Sequence, residues 1–140
     1  MDEKLDTTVC IAGGGPAGIV AGLILAHAGV DVVVLEKHPD FFREFRGDTV
    51  HPSTLNLLDQ LGLGGEAKAI DHSELSTLDA VIDGIRVRAV DFRSLPAPHW
   101  YVTLMPQWDL LSMLVAEAQK QPTFRRVMEA TAHSVIQENG

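Results

Sequence analysis

The chain has 140 residues, of which 46% are hydrophobic and 21% charged, so disordered, collagen-like and coiled-coil architectures are excluded. A net charge of −8 leaves no basic stripe for nucleic acid or anionic lipid: residues 1–70 carry 10 acidic and 5 basic side chains, and residues 71–140 carry 9 and 6. The single cysteine, Cys10, excludes a disulfide scaffold and suits a reducing cytoplasm.

In chain order, Thr7–Ala12 is a short apolar, β-branched run that stops at glycines, and it predicts a buried strand with Cys10 in its core. Pro16 suits a first helical position, a helix is expected over Ala17–Ala28, and Gly29 is a natural terminator. Val32–Leu35 predicts a second strand, apolar on both faces as parallel strands between helices are. The unit from Thr7 to Glu36 spans 30 residues, the size of a βαβ crossover. The uncharged stretch Val9–Val30 is 22 residues long, but it holds six glycines and Pro16 and follows acidic residues, so neither a membrane span nor a leader is expected.

Residues 38–51 are polar and irregular, with Phe41, Phe42 and Phe45 among charges, where they read as a loop packing on the core. Ser53 is a candidate N-cap for a helix from Thr54 to Leu61, closed by Gly62. Leu75–Ile82 and Ile85–Phe92 are strand-like runs separated by Asp83-Gly84, a two-residue hairpin signal. Alternation along Ile85–Val90 predicts one largely wet face. A short strand at Trp100–Leu104, an amphipathic helix from Gln107 or Asp109 to Gln119, and strands at Phe124–Met128 and Thr131–Gln137 complete the reading. The chain ends in Asn139-Gly140, a hairpin-turn signal with no strand after it, and the 140 residues are expected to be part of a longer chain.

The chemistry sits in Gly13-x-Gly15-x-x-Gly18, directly after a predicted strand and opening a predicted helix. Gly13 permits the tight turn, Gly15 lets a pyrophosphate approach the backbone, and Gly18 allows close packing of the helix. The helix start offers free N–H groups and about half a positive charge to a diphosphate. Glu36 ends the second strand, placed to accept hydrogen bonds from an adenosine ribose and to repel a 2′-phosphate. FAD or NAD fits this pattern; NADP in this site does not.

The exact residues narrow the choice. Gly13-Gly14-Gly15-Pro16-Ala17-Gly18, followed by Val33-Val34-Leu35-Glu36-Lys37, resembles the FAD-binding start of the aromatic-hydroxylase-like (class A) flavin monooxygenases. Arg46-Gly47-Asp48, Pro52-Ser53-Thr54-Leu55 and Leu58–Leu63 resemble that family's arginine and following helix. Met105-Pro106-Gln107-Trp108-Asp109-Leu110-Leu111 resembles its glutamine-headed helix, although the family's arginine is replaced where Trp108 or Asp109 stands. The resemblance implies an α/β fold: a Rossmann-like FAD-binding βαβ unit with an inserted β-hairpin, all of residues 1–140 being the N-terminal part of a larger two-domain flavoprotein. It implies FAD contacts at Gly13, Gly15, Pro16, Ala17, Gly18, Glu36, Lys37, Arg46, Gln107 and the backbone of Met128, with Arg43 a weaker candidate. It further implies a parent enzyme that hydroxylates an aromatic or polyketide-like small molecule with FAD, NADH or NADPH, and O2.

No catalytic residue can be carried over, because the family's substrate-determining segments have no counterpart here, and the chain alone is expected to be inactive. The six histidines show no i,i+4 pairing or carboxylate cluster of metal-ligand spacing, so no metal site is expected. Two alternatives remain open on the sequence: a related FAD oxidoreductase of the halogenase or geranylgeranyl-reductase type, and a non-catalytic nucleotide-binding module.

Overall fold

The computed structural model describes residues 4–40 and 49–138. They fall into two compact units, one built from residues 1–42 and 111–140, the other from residues 43–110.

The first unit is a three-stranded parallel sheet. Its strands are β1 (Val9–Ala12), β2 (Val32–Leu35) and a strand from far along the chain, Phe124–Val127. β2 is central: Val9 pairs with Val32 on one side, and Val32 pairs with Phe124 on the other. Parallel neighbours need a crossover. Helix α1 (Pro16–His27) supplies it between β1 and β2, and sets Ile19, Leu23 and Ala26 against the sheet at 0–2% exposure. Gly22 makes that approach possible: a Cβ there would lie 2.9 Å from both Val34 Cγ2 and Phe124 Cε2. The helix stops at Gly29, whose φ of +77° and N–H bond to the Ala26 carbonyl form a left-handed terminator.

Val32, Val33 and Val34 are buried as the all-apolar run predicts, but β1 is not. It is an edge strand with alternating exposure, and Cys10 is exposed rather than in the core. The run Thr131–Gln137, expected as a strand, is irregular: it finds no partner among the described residues, and Val135 and Ile136 lie in solvent. The terminal Asn139-Gly140 signal lies outside the described residues.

The second unit contains β3 (Thr49–Val50), α2 (Pro52–Gln60), α3 (Gly64–Ala69), β4 (Ser73–Leu75), β5 (Thr77–Ile82), β6 (Ile85–Asp91) and β7 (Val102–Leu104). β7 is central in a small antiparallel sheet, with Thr49 and Ser73 both opposite Leu104. Val50, Leu55, Leu58, Leu63, Ala67, Val102 and Met105 form its core. α2 starts earlier than expected, because Pro52 occupies the first helical position and His51, extended as residues before proline are, takes the N-cap place assigned to Ser53. The expected strand Leu75–Ile82 breaks at Ser76 into β4 and β5.

β5 and β6 form the predicted hairpin about Asp83 and Gly84, both at positive φ. Exposure runs along both of its faces, so its alternation is not a core-facing pattern: Val81, Ile82 and Ile85 are each 60–68% exposed. A 3-10 turn over Phe92–Ser94 follows, where the hydrogen bond from Arg93 holds the exposed Asp91 carboxyl at about 2.

His99 is 3% exposed and held on both ring nitrogens, with Asp59 Oδ2 at 2.6 Å from Nε2 and the Tyr101 hydroxyl at 3.3 Å from Nδ1. Burial raises the Tyr101 hydroxyl above its ordinary value, and the hydrogen bond and charge of Glu74 add to it, as does the charge of Asp59.

Helix α4 (Gln107–Ala118) begins in the second unit and continues in the first, burying Leu110, Leu111, Leu114, Val115 and Ala118 at helical spacing. The last strand, β8 (Phe124–Val127), then completes the parallel sheet.

Candidate functional site

In the first unit, the glycine loop between β1 and α1 meets the segment that leaves β2. The Gly13 N–H donates to the Leu35 carbonyl at 2.8 Å, and Gly13 takes a φ of +116°, a conformation that favours glycine. One residue on, the Gly14 N–H donates to Glu36 Oε2 at 2.8 Å, while the His38 N–H donates to Oε1 at 3.0 Å. Glu36 is thus 5% exposed, its carboxylate held by two backbone amides.

Gly18 is indispensable to the turn: a Cβ there would sit 1.9 Å from the Gly13 carbonyl oxygen. Gly15 differs, because a Cβ on it would meet nothing within 4 Å. It is the N-cap of α1 and makes no side-chain cap, and Pro16 follows at the first helical position. The helix therefore opens with uncapped amides into free space, which is the geometry an anion requires.

A cavity of about 270 Å3 adjoins this loop, lined by Ala12, Gly13, Leu35, Glu36 and Lys37 from the first two strands and by Ala130, Thr131 and Ala132. It lies past the carboxyl ends of the parallel strands, where ligands of open α/β sheets bind. The residues present fit the adenosine and diphosphate of a dinucleotide: an open glycine at an uncapped helix start, with a fixed carboxylate at the end of the neighbouring strand.

Of the residues read from the sequence, the structure brings together Gly13, Gly15, Pro16, Ala17, Gly18, Glu36 and Lys37, with Pro16 and Ala17 exposed on the first turn of α1. Met128 directly follows β8 in the same unit and is half-buried. Gln107 heads α4 in the second unit. Arg46, Arg43 and the phenylalanines 41, 42 and 45 lie outside the described residues.

Sequence reasoning missed three participants. Gly14 belongs beside Glu36, since a Cβ on it would approach Glu36 Cβ to 2.9 Å. The His38 amide completes the carboxylate's support. Residues 130–132 close the cavity because the Ala130 N–H donates to the Glu36 carbonyl at 2.9 Å and the Glu129 N–H to that of His38 at 3.3 Å. No signal in the sequence marked them, because residues that follow β8 emerge next to Glu36 only through the pairing of β8 with β2. Among the described residues no group of His, Cys, Asp and Glu could hold a metal ion, and no helix is long and apolar enough to cross a membrane.

Comparison with known proteins agrees with this geometry. The chain is 29% identical over 134 residues to 6-methylpretetramide 4-monooxygenase of Streptomyces rimosus, an alignment spanning 96% of this chain and 32% of that protein. The crystal structure of p-nitrophenol 4-monooxygenase PnpA from Pseudomonas putida DLL-E4 superposes with a TM-score of 0.82 at 24% identity, covering 98% of this chain and 35% of PnpA, a likeness of fold. The Diels-Alderase PyrE3 of pyrroindomycin biosynthesis superposes with a TM-score of 0.76 at 28% identity, covering 95% of this chain and 27% of its own. The chain thus spans about a third of the length of these proteins. The family model of the FAD binding domain matches residues 6–140, all of the parallel sheet and everything inserted in it, so the chain belongs to the FAD-binding-domain family and FAD is its cofactor.

Proposed function

We propose that this domain serves an FAD-dependent monooxygenase that hydroxylates an aromatic or polyketide-like small molecule with NADH or NADPH and O2. The observation that carries the cofactor part of this reading is the buried Glu36 carboxylate, fixed by the Gly14 and His38 amides beside the uncapped start of α1. Glu36 accepts hydrogen bonds from the adenosine ribose, and its negative charge disfavours a 2′-phosphate there. The first-turn amides of α1 and the helix dipole bind the diphosphate, with Pro16 and Ala17 forming the exposed surface over which it lies. Lys37 borders the same cavity and offsets part of the ligand's charge.

Arg46, Gln107 and the Met128 backbone are further proposed contacts, to the pyrophosphate, the ribityl or phosphate region and the adenine respectively. When bound, FAD accepts hydride from the nicotinamide and activates O2. The contribution of this chain is to bind and orient it. The monooxygenase named for 6-methylpretetramide, matched along nearly the whole of this chain, supports the reaction class. A single cysteine supports a reducing, cytoplasmic setting, and a net charge of −8 disfavours nucleic acid as partner.

A second reading has one observation in its favour: PyrE3, named as a Diels-Alderase, shares this fold at 28% identity. The two readings separate in a flavin titration followed by an oxygen-electrode assay. The purified chain quenches FAD fluorescence on binding, and Glu36→Ala weakens that binding by about tenfold or more. Wild-type protein that leaves FAD fluorescence unchanged would remove both readings. In the complete polypeptide, NAD(P)H oxidation coupled to O2 uptake and an oxygenated product establishes the monooxygenase. Flavin binding without either points to the PyrE3-like alternative.

A further inference from the structure

We infer that the second unit holds a binding cleft for a neutral, flat, ring-shaped molecule carrying an oxygen acceptor on its rim. The cleft encloses about 360 Å3 and is lined by residues of two kinds. That volume lies in the small-ligand range of roughly 300–1,000 Å3.

His51, Ser53 and Asn56 come from the start of α2, where Ser53 and Asn56, three residues apart, share a helix face. Among the described residues none of these three side chains has a hydrogen-bond partner, so their donors remain free for a ligand. Phe92, Leu95 and Pro96 supply the apolar surface. This segment is held in place: the Phe92 N–H donates to the Ser76 carbonyl and the Leu95 N–H to the Phe92 carbonyl, each at 2.9 Å.

His99 also lines the cleft, but both its ring nitrogens are committed, to Asp59 and to Tyr101. It therefore offers ring surface and no free hydrogen bond. Polar groups from one segment and apolar groups from another suit a molecule that is itself divided, with a ring packing on Phe92 and Pro96 and an oxygen accepting from Ser53 and Asn56. Charge decides the rest. No Lys, Arg, Asp or Glu lines the cleft among the described residues, so a cation finds no carboxylate there, and the net −8 of the chain disfavours an anion. None of these residues borders the cavity beside Glu36.

The test is an NMR titration of the 15N-labelled chain with benzamide, against acetamide (no ring) and benzoate (an anion of similar shape). Benzamide is expected to give saturable shifts concentrated in residues 51–56 and 92–99, with acetamide and benzoate weaker by about tenfold or more. Phe92→Ala and the half-exposed Asn56→Asp each weaken benzamide by about tenfold, and unchanged amide signals of the second unit's core residues Leu58, Leu63 and Val102 show that its fold is kept. Asn56→Asp alone suffices should Phe92→Ala unfold. Scattered or non-saturable shifts, benzoate or acetamide binding as tightly as benzamide, or an Asn56→Asp protein of unaltered affinity would each overturn the proposal.

Discussion

Two glycines only three positions apart should respond in opposite ways to substitution. An alanine at Gly18 places its Cβ 1.9 Å from the Gly13 carbonyl oxygen and 3.3 Å from Ile11 Cγ2. Real Cβ atoms keep at least 3.0 Å from such neighbours, so helix and turn must separate by about 1 Å. The turn has little freedom to yield, since Gly13 is tied to Leu35 at 2.8 Å and already occupies a φ of +116°. Overpacking of this kind costs about 1–3 kcal/mol, and a strained or broken Gly13–Leu35 bond adds about 1 kcal/mol. For a domain of this size roughly 3 kcal/mol corresponds to a Tm lower by about 10 °C.

Gly15→Val is the counterpart. Gly15 has φ −72°, and a Cβ on it would meet nothing within 4 Å, so thermal stability should stay within about 1–2 °C of the parent. The valine side chain nevertheless fills the space over the start of α1, and FAD affinity should fall by about tenfold or more. Circular dichroism melts and FAD fluorescence titrations on both variants decide the matter. A Gly18→Ala protein melting with the parent would refute the packing argument. A Gly15→Val protein that binds FAD normally would refute the placement of the diphosphate.

The second unit yields two further expectations. Tyr101 is the sole tyrosine, so absorbance at 295 nm reports it alone; its midpoint should lie above 10.0, and Glu74→Gln should bring it down, whereas a midpoint at 10.0 would contradict the burial and the Glu74 bond. Because the folded value is the higher one, the stability linked to Tyr101 is complete below pH 10 and is lost as the pH rises through the folded value. Asp59→Ala removes the partner of buried His99 and should lower unfolding stability by about 1–2 kcal/mol in urea titrations, and Asp59→Asn, which still accepts, by less; equal losses would show that hydrogen bonding to His99 is not the cause.

The βαβ unit was legible because its signals are local. A glycine-rich turn, Pro16, a valine run and Glu36 each act within about thirty residues, and β2 lies where the sequence put it, at Val32–Leu35. Asp83-Gly84 fixed the hairpin for the same reason. What failed depends on distant partners. Whether β1 is buried is decided by what lies on each side of it, and alternating Ile11 and Cys10 cannot report that. Thr131–Gln137 has the composition of a strand but no neighbour among the described residues to pair with. β3 and β7 are two and three residues long, too short for any periodicity to show, and they exist because each completes the ladder of the other. At the site, Glu36 was found from its spacing. Its supports at Gly14, His38 and residues 130–132 are backbone amides and carbonyls, which side-chain identity does not encode.

The pairing of β2 with β8 has a bearing on how the protein is made. Close to ninety residues separate Leu35 from Phe124, and the second unit is contained entirely within that interval. At a synthesis rate of about 5–20 residues per second, the central strand waits for roughly 5–20 s with one edge unpaired. Closing so long a loop costs about 4 kcal/mol of chain entropy beyond the constant term, which one four-residue strand and the apolar face of α4 must offset together. The Glu36 pocket therefore matures last: its floor is laid down in the first forty residues, but the segment that closes it arrives near residue 130. If FAD binds where proposed, its capture follows translation of the inserted unit, and a ribosome pausing within residues 43–110 would leave a nascent chain with the glycine turn but without residues 130–132 of the cavity lining.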